Sequence, residues 1–296
     1  MDVEVLIYGL VNSMTFVLMA VGFSFVYGIS RLPNFAHGAL YVVTGFIAWS
    51  FINKTGLPYW VGVILAIGIV SIVGMAIYQF LLIRVRGMPI SEIIVSFAVA
   101  LGILEGLRLQ GIGGFGGFIG PGYVLPPIVD HVVATDWLII DVQRLLIIAV
   151  GLLIIGFVWL FTHHSKMGLA LRAMAQHERA ALMLGINSDR MATLAMAIGS
   201  GLAGLAAIVI MPLGNINCES GYSVLTNAIA VCVIGGLGSW VGTILAAIIL
   251  GFGTTIMSAF GATMWNNVLI FGLIILILIV RPSGLFGQQK ELEERV

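Results

Sequence analysis

The sequence predicts an all-α protein, a polytopic bundle of about eight or nine transmembrane helices. Of its 296 residues, 60% are hydrophobic and only 9% are charged, whereas charged residues make up about 25% of an ordinary soluble domain. So few charges cannot cover a water-soluble surface. In addition, nine apolar runs are long enough, or nearly long enough, to cross about 30 Å of hydrocarbon as helix.

The nine runs fall into two groups by length. Five are clear spans, at residues 5–28, 59–83, 145–162, 191–212 and 264–280. Four are shorter or interrupted by glycine, at residues 37–52, 91–110, 223–237 and 241–260. These four are either full spans or broken helices whose backbone is satisfied only inside a bundle. The N-terminus lacks the basic region and cleavage site of a signal peptide, so we expect the first run to be retained.

The net charge argues against one class of partner. The 13 basic and 13 acidic residues cancel, whereas a nucleic-acid-binding surface needs excess positive charge to release counterions from phosphates. We therefore expect lipid and other proteins as partners, and no nucleic acid. Cys218 and Cys232 lack the spacing of a metal site, so we expect two buried free thiols and no metal.

Lysine and arginine collect in three places, at residues 84–86, at 166–190 and in the tail from residue 281. Cytoplasmic loops carry this excess, so all three are predicted to be cytoplasmic. Nine spans then give an external N-terminus and a cytoplasmic C-terminus. The external loop at 111–142 is rich in glycine and proline, which favours a loop with up to two short strands.

The stretch from Gly168 to Gly185 predicts one amphipathic helix at the cytoplasmic surface. It is rich in Ala, Leu and Met, and Gly185 can cap its C-terminal end. Arg172, Gln176 and Arg179 recur at i, i+4 and i+7 and form a polar stripe. Such a helix either lies among lipid headgroups or docks into a groove on a partner protein, and the spacing leaves both interpretations open.

Asn34 and His37 lie where two apolar runs meet, just after Pro33. In one interpretation Asn34 caps the next helix and His37 is a satisfied polar group at the membrane interface. In the other, both line or gate a pathway, because polar side chains at membrane depth usually face a cavity or the bundle interior.

A second candidate for the pathway is a glycine-rich stretch before the last two apolar runs. Its glycines allow helices to pack closely, or they mark an unwound segment at mid-membrane whose backbone faces a solute. Thr226 and Asn227 precede it and would line the same route. The members of the stretch are Gly235, Gly236, Gly238 and Ser239, with Gly242 following.

The chain resembles the permease subunits of bacterial ABC importers for branched-chain amino acids, most closely the shorter, high-affinity permease type. The order and spacing of the matching motifs hold over nearly the whole chain. The stretches that carry the resemblance are Asn34 to Gly38, Gly168 to Ile186, Gly235 to Ser239, and Arg281 to Gly287 with the sequence Arg-Pro-Ser-Gly-Leu-Phe-Gly.

The resemblance implies that the predicted cytoplasmic helix couples the permease to ATPase subunits. The residues it assigns to coupling are Gly168, Arg172, Ala173, His177, Arg179, Ala181 and Gly185. It also implies a second homologous permease, two ABC ATPase subunits, an external solute-binding protein and a location in the bacterial inner membrane. ATP and Mg would be used by the ATPases, and no cofactor by this chain, which has no phosphate-binding Gly-x-x-x-x-Gly-Lys-[Ser/Thr] motif.

Branched-chain amino acids are the expected solutes, with amides, urea and small aromatic acids as alternatives. The rival interpretation is a self-contained ion-coupled transporter or channel, which requires paired ionisable residues at mid-membrane. The candidates for such pairs are few. Glu105 and Arg108, spaced i, i+3, are expected to neutralise each other, and Glu92 is expected at the exposed interface. A purely structural membrane subunit is disfavoured by the many glycine-interrupted spans.

Overall fold

The fold was analysed in a computed structural model, which describes residues 2–31, 33–109, 123–129, 131–135 and 138–287. The described residues form eleven α-helices and four short β-strands. The helices are α1 (Asp2–Ser30), α2 (His37–Asn53), α3 (Tyr59–Phe80), α4 (Pro89–Leu109), α5 (Val142–His164), α6 (Lys166–Gln176), α7 (Glu178–Met183), α8 (Ser188–Ile210), α9 (Cys218–Gly235), α10 (Trp240–Ala259) and α11 (Asn266–Val280). The strands are β1 (Tyr123–Val124), β2 (Val132–Thr135), β3 (Leu138–Asp141) and β4 (Asn215–Ile216).

All nine predicted apolar runs are helical, and the all-α prediction is confirmed. Eight described helical segments have the length and composition to cross a membrane. The ninth, α2, has 17 residues and is about 26 Å long at 1.5 Å per residue. Its apolar sequence is hidden within the protein rather than offered to lipid, because most of its residues are buried.

The core of the bundle consists of α1, α2, α8 and α9, and the other spans pack around it. More than half of the most apolar window of α1, α8 and α9 is buried, compared with 28% in α4 and α5. A span with little buried surface offers an apolar surface to lipid or to another subunit. Glycines in α8 allow the close packing of this core, because a Cβ on Gly199 would meet Val26 of α1, and one on Gly204 would meet Thr44 of α2.

The helix connections lie at two opposite ends of the bundle. At one end, which we call the basic end, lie Arg31, the loop 81–88, the segment 165–187, the connection 236–239 and the tail 281–287. At the opposite end, β1 pairs antiparallel with β4, and Arg144 at the start of α5 stacks over Tyr8 of α1 at 5.1 Å. Successive helix connections alternate between the two ends, as nine consecutive passes through a membrane require.

The segment 111–142 contains short strands, as predicted, where the structure describes it. β2 and β3 form an antiparallel hairpin, while β1 pairs with β4 from outside the segment. Residues 111–122 of this predicted loop lie outside the described residues. Trp49 of α2 packs on Tyr123 of β1 with ring centroids 3.9 Å apart, so this strand pair rests on the end of α2.

The prediction of one continuous helix from Gly168 to Gly185 is wrong. The chain forms α6 and α7, with His177 between them in an extended conformation at φ −157° and ψ 95°. The Nδ1 atom of His177 accepts a hydrogen bond from the backbone amide of Ala180 at 3.3 Å. A side chain that caps a new helix in this way competes with helix continuation, which explains the break. The predicted glycine cap is confirmed, because Gly185 has φ +82° just after α7.

Both cysteines are free and buried, as predicted. Cys218 begins α9, and its thiol donates to the backbone carbonyl of Leu104 in α4 at 3.3 Å. The predicted ion pair also forms, with Arg108 Nη1 and Glu105 Oε1 3.3 Å apart. These contacts lie near the end of α4 that is opposite to the basic end.

Candidate functional site

The segment around Asn34 and His37 lies inside the bundle. The side chain of Asn34 is almost fully buried and that of His37 completely so. Asn34 Oδ1 accepts a hydrogen bond from the backbone amide of Ala36 at 3.1 Å, as predicted for a backbone N–H. The prediction that Asn34 caps α2 is wrong, because the N-cap is Ala36 and no side chain caps this helix. The prediction that His37 lies at the membrane interface is wrong, because its ring packs edge-on against Phe23 of α1 in the protein interior.

The start of α2 lies deep along α1. His37 Nε2 is 3.0 Å from the carbonyl oxygen of Met19, which lies eleven residues, or about 16 Å of helix, before the end of α1. The chain therefore leaves α1 at the basic end and returns into the bundle before α2 begins. Asn34 Nδ2 and His37 Nδ1 are buried there without a hydrogen-bond partner, which is a costly arrangement.

Four helices meet at this point through glycine. A Cβ atom on Gly22 of α1 would lie 2.6 Å from the carbonyl oxygen of Gly199 in α8 and 2.8 Å from His37 Cε1. A Cβ atom on Gly38 of α2 would overlap the carbonyl oxygen of Gly221 in α9. Backbone thus lies against backbone on two sides of His37, and even one added methyl group displaces a helix.

Helix α9 carries a polar face that the rest of the chain leaves uncovered. Glu219, Ser223 and Thr226 recur at i, i+4 and i+7 and are all exposed. The Thr226 hydroxyl donates to the Tyr222 carbonyl at 2.8 Å. Thr226, which was predicted to line the route, therefore lies on the subunit surface. Asn227 is half-buried and lines a groove beside this face.

The stretch from Gly235 to Ser239 connects the ends of α9 and α10. The prediction of an unwound stretch at mid-membrane is therefore wrong. The packing interpretation fits, because a Cβ atom on Gly235 would overlap the backbone of Gly242. Gly236 and Gly238 have φ of +99° and +79°, conformations that suit glycine. Ser239 Oγ caps α10 by accepting from the Gly242 amide at 3.2 Å.

The tail after α11 is hydrogen-bonded to this connection. The backbone amides of Leu285 and Phe286 donate to the carbonyls of Ile234 and Gly235, both at 2.9 Å. These carbonyls belong to the last turn of α9, where helical partners are missing. The sequence stretches Gly235 to Ser239 and Arg281 to Gly287 are therefore two sides of one backbone contact at the basic end.

The predicted coupling residues are distributed unevenly over α6 and α7. Ser165 caps α6, with its Oγ accepting from the Gly168 amide at 2.8 Å, and Gly168 itself is buried within the helix. Ala181 is also buried. Arg172 and Ala173 are half-buried, whereas His177, Arg179 and Gly185 are exposed. The break at His177 divides the predicted polar stripe between two helices.

The sequence analysis missed an exposed apolar patch at the end of α7. Leu182, Met183 and Leu184 are 47%, 89% and 80% exposed. Only the break at His177 turns these three residues outward together, so a continuous helical pattern could not reveal them. The patch lies at the basic end and is one of the surfaces there that can contact another protein.

Arg31 joins α1 to α6 and was also missed. Its Nη2 atom donates to the Ala175 carbonyl at 3.1 Å. Arg31 has φ +56°, which is uncommon for a residue with a side chain and signals a conformation held by its surroundings. A cavity of about 380 Å³ lies beside it, bounded also by Gln176, Ser239 and Phe286. The sequence signal was a cation between the first apolar run and Pro33.

The loop 81–88 is tied down on both sides. Arg86 pairs with the Asp189 carboxylate and also donates to the Ser188 hydroxyl in the first turn of α8. Glu92 Oε1 accepts from the Gly87 amide at 2.7 Å. The prediction that Glu92 is exposed is wrong, because this side chain is only 4% exposed.

These features define a class. A multi-pass membrane permease has these features. They are the long apolar helices, the polar residue His37 deep in the interior, the exposed polar face on α9 and the separate pair of short helices at one end. Residues 5–278 match the family described as branched-chain amino acid transport system, permease component. The chain belongs to this family, and it is a permease subunit.

Two relatives, BraD and LivH, resemble the chain over nearly their whole length, and a third, LivM, over about two thirds of its length. The high-affinity branched-chain amino acid transport system permease protein BraD of Pseudomonas aeruginosa is 29% identical, over 96% of this chain and 95% of its own. LivH of Escherichia coli K12, a permease protein of the same kind of system, is also 29% identical, over 95% of this chain and 94% of its own. LivM of Salmonella typhimurium is 23% identical, over 92% of this chain and 68% of its own.

One solved structure has a similar fold. PsaBC from Streptococcus pneumoniae in complex with Fab includes a chain that superposes with a TM-score of 0.51 at 16% sequence identity, over 99% of this chain and 95% of that one. This likeness concerns the fold alone. It agrees with the predicted helical bundle, while the family match and the relatives confirm the resemblance to the permeases of ABC importers for branched-chain amino acids.

Proposed function

We propose that this chain forms half of the translocation path of an ATP-driven importer for branched-chain amino acids or related small amphipathic solutes. A second, homologous permease forms the other half. Two ABC ATPase subunits, which use ATP and Mg, bind at the basic end, and a solute-binding protein delivers the solute at the opposite end. The observation that carries the proposal is the family match over residues 5–278.

The distribution of charge supports the proposed orientation. The arginines and lysines gathered at the basic end are typical of cytoplasmic loops, so the C-terminus is cytoplasmic and the N-terminus external in a bacterial inner membrane. The connection 54–58 and the strand pair β1–β4 then face the binding protein.

The coupling role falls on α6 and α7. Two short helices held between α5 and α8 can transmit displacement to both spans, because a packed helix moves as a unit. The exposed Met183 and Leu184 supply apolar anchors for a groove on an ATPase subunit. Gly168 and Ala181 are buried beneath this surface. Its accessible part contains Arg172, Ala173, His177, Arg179 and Gly185.

The polar face of α9 supports pairing with a second permease. Hydroxyl and carboxylate groups facing lipid are costly, so such a face turns toward a cavity or another subunit. A passage between two permeases satisfies Ser223 and Thr226 with water or solute. Names of the relatives supply the solute class, since BraD and LivH are permease proteins of branched-chain amino acid systems.

The test compares Leu184→Asp with Met264→Asp in the complete transporter. Both residues are apolar and highly exposed, at 80% and 95%, but Met264 lies at the opposite end of the bundle. We expect Leu184→Asp to abolish leucine uptake and copurification of the ATPase subunits, because a carboxylate cannot enter an apolar groove without a partner. Met264→Asp should retain the ATPase subunits.

Both variants should insert and show the thermal midpoint of the wild-type permease, because neither side chain is packed. Normal uptake and normal ATPase retention by Leu184→Asp would refute docking through α7. A wild-type complex that takes up leucine in the absence of ATP would refute the ATP-driven mechanism as a whole.

A further inference from the structure

A groove of about 290 Å³ lies between α1, α9, α10 and α11. Its outer rim is formed by Ser258, one residue before the end of α10, and by Asn267 at the start of α11. Its inner part reaches Asn227, nine residues into α9, and Met19 of α1. It therefore runs from the end opposite the basic end to about half the depth of the bundle.

The wall of the groove is rich in uncharged hydrogen-bonding groups. Asparagine side chains come from three helices, namely Asn12, Asn227 and the pair Asn266 and Asn267, and Thr254 adds a hydroxyl. An amide carries both a donor and an acceptor, so such a wall can bind an ammonium group and a carboxylate group at once. Among the described residues that line the groove, none is ionisable.

Hydrogen bonds within the protein satisfy only some of the polar groups that line the groove. Asn12 Nδ2 donates to Thr255 Oγ1 at 2.8 Å, and Asn266 Nδ2 donates to Ser258 Oγ at 3.3 Å. Asn266 Oδ1 is buried without a hydrogen-bond partner. A buried acceptor without a partner is costly in a membrane protein, so the polar groups beside the groove do not all satisfy one another.

The groove lies next to the buried site at the start of α2. Met19 lines its inner end, and the Met19 carbonyl oxygen is 3.0 Å from His37 Nε2. Met19 therefore lies beside both the groove and His37, whose Nδ1 has no hydrogen-bond partner. The polar face of α9 adjoins the groove through Asn227, so a solute in the groove can pass directly to the passage.

We propose that this groove is the outer binding site for the transported solute, and that it accepts small molecules with no net charge, zwitterions above all, with an apolar body. The absence of ionisable lining residues leaves a net charge without a counter-ion, which is costly in a membrane. The volume lies at the lower end of ligand pockets. This inference rests on the proposed function, because it supplies the site that an importer of amino acids needs.

The first experiment measures solvent access and occupancy by thiol labelling. Asn227→Cys is compared with Leu153→Cys, which is 70% exposed at the middle of α5, and the wild-type chain gives the background because both native thiols are buried. A membrane-impermeant methanethiosulfonate reagent is applied to the complete transporter from the binding-protein side. Only a thiol in contact with water ionises and reacts quickly.

We expect Asn227→Cys to react at least about ten times faster than Leu153→Cys. L-leucine should slow its labelling, whereas L-glutamate and L-lysine should not. Equal rates for the two variants, no protection by L-leucine, or equal protection by all three amino acids would each overturn the inference.

The second experiment measures uptake kinetics in vesicles that contain the complete transporter. Asn227→Leu should raise the KM for L-leucine about tenfold or more, because one hydrogen-bonding partner of a charged group is lost. Thr254→Val is a gentler variant, with Thr44→Val as its control. Both hydroxyls donate to their own helix, Thr254 to Leu250 and Thr44 to Leu40, but only Thr254 lines the groove.

An unchanged KM in both groove variants would overturn the inference while leaving the proposed importer intact. Conversely, protection of Asn227→Cys by L-leucine together with uptake that needs no ATP would retain the groove and refute the proposed mechanism. The two outcomes are therefore separable.

Discussion

Arg31 at the end of α1 donates from Nη2 to the carbonyl oxygen of Ala175 in the last turn of α6, at 3.1 Å. The carbonyls of a last helical turn lack intrahelical donors, and a cation there also interacts favourably with the helix dipole. The bond links one of the two short helices at the basic end directly to α1, the span that carries Met19 and Gly22 beside His37. Movement of α6 can therefore reach the buried site through a single helix.

Replacing Arg31 by Ala should uncouple ATP hydrolysis from uptake. We expect leucine uptake per ATP to fall about fivefold, which corresponds to roughly 1 kcal/mol for one exposed charged hydrogen bond. The thermal midpoint should change little. Arg281→Ala is the matched control, because Arg281 is an exposed arginine in the tail at the same end. Equal uptake per ATP in both variants would show that Arg31 does not transmit motion.

Replacing Gly38 by Ala should destabilise the bundle. The new methyl group would overlap the carbonyl oxygen of Gly221, and overpacking of a tight core costs about 1–3 kcal/mol. Gly156→Ala on α5 is the control, since its Cβ would meet no atom within 4 Å. That change should be neutral or stabilising by up to about 1 kcal/mol through helix propensity. Thermal unfolding in detergent measures both, and equal midpoints would contradict the close approach of α2 and α9.

Composition and run length predicted the helices well, because a helix that satisfies its own backbone is the only common way for such apolar runs to cross lipid. The depth of α2 could not be read from the sequence. It depends on where Gly38 meets Gly221, a contact between residues 183 positions apart. Likewise, the break at His177 depends on a side chain capping Ala180, which helix propensity alone does not reveal.

Candidate site residues were predictable by chemical type more than by location. Asn34, His37 and Asn227 stood out because amides and imidazoles are rare at membrane depth. Asn227 lines a groove, whereas Asn34 and His37 are buried. The Gly235 to Ser239 stretch was misplaced because glycine signals tight approach both within a span and at its end. Only the pairing of Leu285 with Ile234 distinguishes these two cases.

Arg179→Glu and Ala181→Trp should have different effects. Arg179 is exposed, so its charge reversal should lower ATPase retention and leave the thermal midpoint unchanged. Ala181 is only 2% exposed, so an indole there should lower the midpoint by overpacking, before any effect on docking is seen. Size-exclusion profiles and thermal unfolding of the isolated permease separate the two, and an unchanged midpoint for Ala181→Trp would contradict the packing of α7.

Replacing His37 by Leu should separate transport from stability. Leucine removes the Nδ1 atom that lacks a partner but also the Nε2 contact with the Met19 carbonyl. These effects oppose each other, so the free energy of unfolding should change by no more than about 1 kcal/mol. If the imidazole lines or gates the route, uptake should nevertheless fall about tenfold or more. His163→Leu is the control, because His163 is exposed on α5. Uptake at the wild-type level in His37→Leu would assign this histidine a packing role alone.

The contact between Arg86 and Asp189 predicts a measurable coupling between two elements at the basic end. Arg86 is held by the Asp189 carboxylate and the Ser188 hydroxyl, so it fixes the loop after α3 against the first turn of α8. The two side chains are 25% and 52% exposed, and ion pairs this accessible contribute about 0.2–1 kcal/mol. A double-mutant cycle of Arg86→Ala, Asp189→Ala and the double variant should give a coupling energy in this range.

Raising the salt concentration should shrink that coupling energy, because exposed charges are screened within about 10 Å at 0.1 M ionic strength. The Asp189 carboxylate also interacts favourably with the positive N-terminal end of α8. Asp189→Ala alone should therefore lower the free energy of unfolding by more than the coupling energy. Thr193→Ala is the control. The Thr193 hydroxyl donates to the backbone carbonyl of Asp189, so its removal should show no coupling with Arg86→Ala. Strict additivity of Arg86→Ala and Asp189→Ala at low salt would show that the loop is held by packing, and that the ion pair is incidental.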